Sequence, residues 1–431
     1  MKQDARQVVY NLWSGLWFIP GLLTFIGLFV GLFFAGMLGH QPLPRGSRIV
    51  FEPSLAVSVL TSLAGALITV VGVVFSITMV VLSSASSQLG PRLLTNFLNK
   101  TGTKVAIGAF VGAFSYQLIV ASALSMGKEV PDLTVWIGLG GGLASFGILL
   151  GFLHMVARFI QVPFVVDEVT RNLSKALGGF LEFGAKSPPS SNSSSREENR
   201  PEVRVTSEEE GFVQRIEIRG LVPQAAKHEA EVDLLRRAGQ FVAAGDVLAV
   251  VRGGTDREEL GEKIRNAYSL GPERTAQQDV EYALRQLVEI ATKALSPGIN
   301  DPETAINVIA RVGGALARVS NVSLPSGKWY DDEECLRVKL PVTDVEGLLG
   351  TAYHPLRQFG AEIPTVSIAL MESFVRLAER ELHPEFAKVL KQHVTWLDEA
   401  VSKEDWLESD RQNLRDRRDL AFVRLEESLA S

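Results

Sequence analysis

One cysteine, Cys335, is all that 431 residues contain. A single thiol excludes an intramolecular disulfide and a zinc site built on thiolates, and it suits a domain facing a reducing compartment. Histidine is nearly as scarce. The six, at positions 40, 154, 228, 354, 383 and 393, are scattered, with no pair at the spacing of a helical metal site. An excess of positive charge is missing too: the formal net charge is -6, so no basic surface for nucleic acid is expected and that class of partner is set aside. No glycine-rich loop ends in Gly-Lys-Ser or Gly-Lys-Thr, and the Gly138–Gly142 cluster lies in an apolar run without the preceding strand that a dinucleotide site needs. With no nucleophile beside a base, the chain reads as a non-enzyme, and no catalytic residue, metal or cofactor is assigned.

Charge is absent altogether from four long runs, Leu16–Leu38, Leu55–Leu82, Val105–Met126 and Leu133–Val156. About 20 apolar residues, each adding ~1.5 Å, cross a hydrocarbon layer of ~30 Å. The expected fold class is therefore a membrane α-helical bundle of four transmembrane helices over residues 1–165, followed by an α+β region. The second run is longer than one crossing needs, so it tilts, kinks at a glycine or projects. The first follows Lys2 and Arg6, but it exceeds a secretion signal in length and no small-x-small cleavage site follows, so it reads as a retained anchor. The short connections collect Lys2, Arg6, Arg92, Lys100, Lys104, Arg158, Arg171 and Lys175 on one side, against Arg45, Arg48 and Lys128 on the other. The positive side is expected to be cytoplasmic, with both termini and the long carboxy-terminal half inside and two short loops, 39–54 and 127–132, outside. Trp13, Trp17 and Trp136 fall near helix ends, as interfacial aromatics do.

Small residues recur at helical spacing: Gly27, Gly31, Ala35 and Gly39, then the pairs Gly108 with Gly112, Gly138 with Gly142 and Gly147 with Gly151. Such stripes let helix backbones approach in lipid. The second helix differs in carrying hydroxyls as well, at Ser58, Ser62, Gly65, Thr69, Gly72, Ser76 and Ser83, on one face. It ends near Gly90 and Pro91. Two readings stand side by side. In one, copies of this helix from several subunits line a wet path with hydroxyls. In the other, the hydroxyls bond back to i-4 carbonyls and the small faces pack. No carboxylate lies inside the membrane runs, and His154 and Arg158 sit at an inner end, so an ion-coupled pump is disfavoured.

Beyond residue 165 the expected order is a juxtamembrane helix and a flexible Ser/Pro-rich linker (166–202, with Ser187–Pro201 the linker proper), a small β domain (203–254), and a mainly helical domain (255–431). Short strands are expected at 203–205, 211–218 and 231–235, with a helix between the last two. Gly239-Gln-Phe-Val-Ala-Ala-Gly-Asp-Val-Leu248 resembles the turn-and-strand pattern of barrel-sandwich folds related to biotinyl and lipoyl carriers. It lacks their modifiable lysine, so the resemblance implies a barrel-sandwich-like unit without the swinging arm. A helix over Gln278–Leu295 buries Val280, Leu284, Leu287, Val288, Ala291 and Leu295 and runs Glu281, Arg285, Glu289 and Lys293 down another face. Ser296, Pro297, Gly298, Asn300, Asp301 and Pro302 then form a helix–turn–helix corner with Asp301 as N-cap. Later helices are expected to break at Pro355, Pro364 and Pro384, with a capping box at Ser402–Asp405 opening a final charged helix that docks on the domain.

Phe75-Ser-Ile-Thr-Met-Val-Val-Leu-Ser-Ser-Ala-Ser-Ser-Gln-Leu-Gly-Pro-Arg-Leu-Leu94, Arg285-Gln-Leu287 and Ala294-Leu-Ser-Pro-Gly-Ile-Asn-Asp-Pro-Glu-Thr-Ala305 resemble a bacterial family of predicted membrane proteins, domain of unknown function 2254. The resemblance implies this order of domains and a bacterial plasma (inner) membrane location, and carries no activity. The expected partners are the lipid bilayer, further copies of the chain in a homo-oligomer, and a cytoplasmic partner of unknown kind. Function divides between a channel lined by the second helix and modulated by the soluble domain, and a non-conducting anchor for a sensing or scaffold domain.

Overall fold

A computed structural model describes residues 17–35, 52–89, 101–128, 131–159, 161–183 and 201–430. The expected amino-terminal flank with Lys2, Arg6 and Trp13, most of the loop 39–54 with Gly39, the connection through Gly90, Pro91 and Arg92, and the linker up to residue 200 lie outside them. The chain divides into two compact units, residues 1–165 and 166–431.

The first unit holds α1 (Phe18–Phe34), α2 (Pro53–Leu89), α3 (Thr101–Ser125) and α4 (Asp132–Phe159), and α5 (Val162–Phe183) begins at its end. Three of these helices, α2, α3 and α4, are long and apolar enough to cross a membrane, and α1 is a shorter apolar helix of 17 residues. α2 runs unbroken through Gly65 and Gly72, and its 37 residues span ~55 Å, well beyond one crossing. α3 is the hub, packing on α1, α2 and α4. The contact with α1 is backbone to backbone: a Cβ on Gly27 would lie 2.2 Å from the Gly112 carbonyl oxygen, and one on Gly112 would lie 2.7 Å from that of Leu23. Gly138 and Gly142 leave room instead for Leu60 and Leu63 of α2. Gly147 and Gly151 meet nothing within 4 Å among the described residues.

The second unit starts from two sheets. One has the order β1 (Glu202–Thr206), β5 (Val247–Gly253), β3 (Ala230–Leu234), β8 (Leu336–Lys339), β7 (Lys328–Tyr330), and the other β4 (Phe241–Val242), β2 (Gly211–Ile216), β6 (Tyr268–Gly271). All pairings are antiparallel except β3 with β8. The β region is therefore completed by strands from beyond residue 254, because a parallel pair needs a long crossover and the chain supplies one between β3 and β8. Alternation decides the faces. Ala230, Val232 and Leu234 of β3 enter the core with Val213, Ile216, Leu248 and Val251, while Glu231 pairs with Lys339 at 2.6 Å and Asp233 with Arg252 at 3.5 Å on the other side. Helices α6 (Ile218–Lys227) and α7 (Arg257–Ala267) cover this core.

The remaining helices are α8 (Val280–Ala294), α9 (Pro302–Leu316), α10 (Val345–Gly360), α11 (Pro364–Ala378), α12 (Pro384–Val401) and α13 (Glu408–Ala430). α8 packs on α9 and α10, and α13 lies on α11 and α12 through Leu414, Ala421 and Leu425. Three expectations are corrected. α10 continues through Pro355, because Ala352, Tyr353 and Leu356 are buried beside it and their burial outweighs the local cost of about 3 kcal/mol. Ser402 opens no capping box; it ends α12, its hydroxyl donating to the Glu399 carbonyl at 2.8 Å. Glu281, placed in a stripe of i, i+4 charge pairs along α8, accepts from outside that helix, from Arg237 at 2.9 Å and from Thr343 at 2.6 Å.

The glycine crossing yields a test. Gly112→Val is expected to lower the stability of the solubilised protein by about 1–3 kcal/mol through overpacking, whereas Gly151→Ala does not lower it. Equal thermal melting of both variants and the parent would contradict the crossing.

Candidate functional site: the exposed face of α2

Every residue of the hydroxyl stripe, Ser58, Ser62, Gly65, Thr69, Gly72, Ser76 and Ser83, is exposed on the surface of the first unit. The opposite side of α2 is buried, through Ala56, Leu60, Ala64, Leu67, Val74, Thr78 and Val81. Gly65 and Gly72 have nothing within 4 Å of where a Cβ would stand. The hydroxyls have local partners: Ser58 donates to the Ser54 carbonyl at 2.9 Å, Ser62 to Ser58 at 2.7 Å and Thr69 to Gly65 at 2.8 Å. The O–H of each of these three is thereby used, while the oxygen lone pairs can still accept from outside. Large apolar side chains, Ile68, Val73, Phe75, Met79 and Val80, are exposed around the stripe. The face is thus a shallow furrow of small groups, able to receive another helix or a file of hydrogen-bond donors. Thr78 was not singled out by the pattern; it is buried and bonds back to Val74 at 2.7 Å.

At the corner in the second unit, Asp301 Oδ1 accepts from the Thr304 amide at 3.1 Å and Oδ2 from its hydroxyl at 2.6 Å, with Pro302 in the first turn of α9. Such a cap is worth about 1 kcal/mol. The Ser296 hydroxyl donates to the Lys293 carbonyl at 2.6 Å, Asn300 takes a left-handed φ of 49°, and its amide donates to the Ser296 carbonyl at 2.9 Å. Pro297, Gly298 and Asn300 are exposed. His354 lies against His393 and Trp396, with ring centroids 5.0 and 5.1 Å away. That pairing of histidines from α10 and α12 was invisible to residue spacing, because it arises from helix packing alone.

His393 is buried against Tyr353, Phe374 and Trp396. Burial, reinforced by His354 and Arg357, pulls its pKa down to about 3, and burial likewise lowers His354. Both rings are neutral near pH 7, and the unfolded chain binds protons that the folded one refuses. Stability is therefore full above about pH 6.5 and falls as pH drops through the range between the unfolded and folded values.

Asp331, Glu333 and Cys335 bring ligand atoms within 4.8 Å of one another. The Asp331 carboxylate is already engaged, however: it pairs with Arg337 at 2.5 Å and accepts from the amides of Glu333 at 3.0 Å and Cys335 at 2.8 Å. These bonds outweigh the effect of burial and hold the Asp331 carboxyl below its ordinary range. An ion pair closing a turn accounts for the group.

The model of a family described as "Predicted membrane protein (DUF2254)" matches residues 13–376. Two relatives are Uncharacterized protein Mb1321c of Mycobacterium bovis and Uncharacterized protein Rv1290c of Mycobacterium tuberculosis, each 28% identical, over 95% of this chain and 81% of theirs. No solved structure matches.

Buried histidine gives the test for this subsection. Between pH 6.5 and pH 5 the protein is expected to lose about 2 kcal/mol of stability through His393, and His393→Phe is expected to flatten that loss. Melting temperatures of parent and variant at the two pH values check it; parallel curves would refute it.

Proposed function

Since the chain belongs to the family of predicted membrane proteins DUF2254, we propose that it is a multi-pass protein of the bacterial inner membrane in which α1 to α4 all cross the bilayer and copies of the chain associate around α2. In this reading the α2 faces of neighbouring subunits surround a narrow pathway for an ion or small solute, and the soluble unit modulates it from the cytoplasm. One observation supports the proposal: among the described residues, the hydroxyl stripe points away from the other helices of the first unit. Four helices are few for a pore within one subunit but enough in a symmetric ring. The back-bonded hydroxyls of Ser58, Ser62 and Thr69 favour a second reading, in which the same faces pack without a pathway and the membrane unit anchors a sensing or scaffold domain. Neither reading invokes an enzyme.

Flux through liposomes separates them. The native protein is expected to conduct and Thr69→Trp to block, since an indole fills the furrow at its middle. Absence of flux at every voltage and salt tested, from protein shown to be folded and oligomeric, would sink the pathway and leave the anchor. Orientation has its own probe in the lone thiol, Cys335, which is half-buried in the second unit. With the soluble unit inside, a membrane-impermeant maleimide is expected to label Cys335 only after cells are permeabilised; labelling of intact cells would reverse the topology.

A further inference from the structure

In the second unit, α10 and α12 run side by side in the same direction, with Tyr353 against His393 and His354 against Trp396. Beyond these pairs, at the carboxy-terminal ends of both helices, lies a hollow of about 240 Å³. Its lining includes Arg357 of α10, Trp396, Glu399 and Ala400 of α12, and Lys403 and Glu404 of the turn that follows. Two cations suit this place, because the last carbonyls of a helix carry partial negative charge. Two carboxylates do not. Glu399 stands in the last turn of α12 and Glu404 just past its end at Val401, both against the helix dipole.

Pairing does not account for them either. Among the described residues none of Arg357, Glu399, Lys403 and Glu404 forms an ion pair. Elsewhere α12 does pair its charges with α13, Asp398 with Arg418 at 2.9 Å and Lys391 with Glu426 at 2.9 Å. Arg357 is half-buried. His354 and His393 are held neutral by burial first and then by neighbours that include Arg357, so neither offers it a counter-charge. Trp396, also half-buried, gives the hollow an aromatic wall.

We propose that this hollow binds a small zwitterion of the amino-acid class: its carboxylate pairs with Arg357, its ammonium with Glu399 and Glu404 at the helix ends, and its side chain covers Trp396. The guanidinium fork matches a carboxylate in shape as well as charge. A plain anion would face two carboxylates here and a plain cation two cations, so a molecule carrying both signs is selected over either. The volume falls below the ~300–1,000 Å³ of sites that enclose a drug-sized ligand, which suits one amino acid rather than a peptide. Because Glu399 and Lys403 are exposed, the contacts are screened by solvent and the affinity is modest. The site lies wholly within the second unit and stands whether or not the α2 face conducts.

The test titrates the full chain, solubilised in detergent, by calorimetry with three ligands that share one body. L-phenylalanine carries both charges, 3-phenylpropionate only the carboxylate and phenethylamine only the ammonium. Phenylalanine is expected to bind with Kd near ~1 mM, and each of the others roughly tenfold more weakly. Arg357→Met is expected to bring phenylalanine down to the level of phenethylamine, and Glu399→Gln with Glu404→Gln to that of 3-phenylpropionate. Should Arg357→Met fail to fold, Ala400→Phe, which fills the hollow, is expected to abolish binding instead. O-phosphoethanolamine has the charges of a zwitterionic lipid head without a body to cover Trp396, and is expected to bind more weakly than phenylalanine. No binding of phenylalanine at ~10 mM, equal binding of all three ligands, binding unmoved by these substitutions, or tighter binding of O-phosphoethanolamine would each overturn the proposal.

Discussion

A backbone or side-chain polar group removed from water must find a partner, and that constraint shapes both units. In the membrane unit the response is local. Thr24, Ser58, Ser62, Thr69, Thr78, Ser115, Ser122 and Ser145 all donate to the carbonyl four residues back, so the hydroxyls that dot these helices add little cost in hydrocarbon. Groups too long for that reach across instead, Tyr116 to Thr134 and Gln117 to Gly138. In the second unit the response is the acidic cap. Asp256, Asp279, Asp301 and Asp344 each accept from the amide three residues on, at the starts of α7, α8, α9 and α10.

The cap of α8 is tied most deeply into its surroundings. Asp279 is buried and also accepts from Arg274, whose guanidinium lies 5.2 Å from the Tyr282 ring centroid. Burial pushes the Asp279 carboxyl up, against the pull of Arg274. A Cβ on Gly239, where φ is 87°, would stand 1.9 Å from Asp279 Oδ2. The turn before β4 and the start of α8 therefore require each other. Next to them Gln278 bonds the backbone of Ile216 in both directions, at 2.8 and 3.1 Å, and Arg237 joins Glu281 and Thr343. These contacts knit the sheets to the helices, and they explain why the β and helical regions share one compact unit.

Periodicity made much of this legible. The apolar runs marked the membrane helices, residues 211–218 and 231–235 read as strands that the structure places at Gly211–Ile216 and Ala230–Leu234, and Pro364 and Pro384 stand where helices begin. The caps were legible in part: Asp301 was marked by Pro302, while Asp279 and Asp344 carry the same Asp-x-Glu start without the proline. That signal alone would have overreached, since Asp331-Asp-Glu333 shares it and forms a turn. What local pattern misses is whatever packing decides. Pro355 stays helical because its neighbours are buried, Glu281 turns inward because Arg237 waits there, and His354 meets His393 through the crossing of two helices. Gln117, an ordinary polar residue in an apolar run, stands out only once its neighbours are in place.

The face of α2 poses the last question of balance. Back-bonded hydroxyls sit in lipid at little cost, so the exposure of Ser58, Ser62 and Thr69 does not by itself demand water. Glycine is different. In a helix interior it is less favourable than alanine by about 1 kcal/mol, and in α1, α3 and α4 that deficit is offset by close packing at Gly27, Gly112 and Gly138. Gly65 and Gly72 have no such neighbour among the described residues. Association of copies along this face, as proposed above, would offset them with a helix that approaches closely or with a space that a methyl group would narrow.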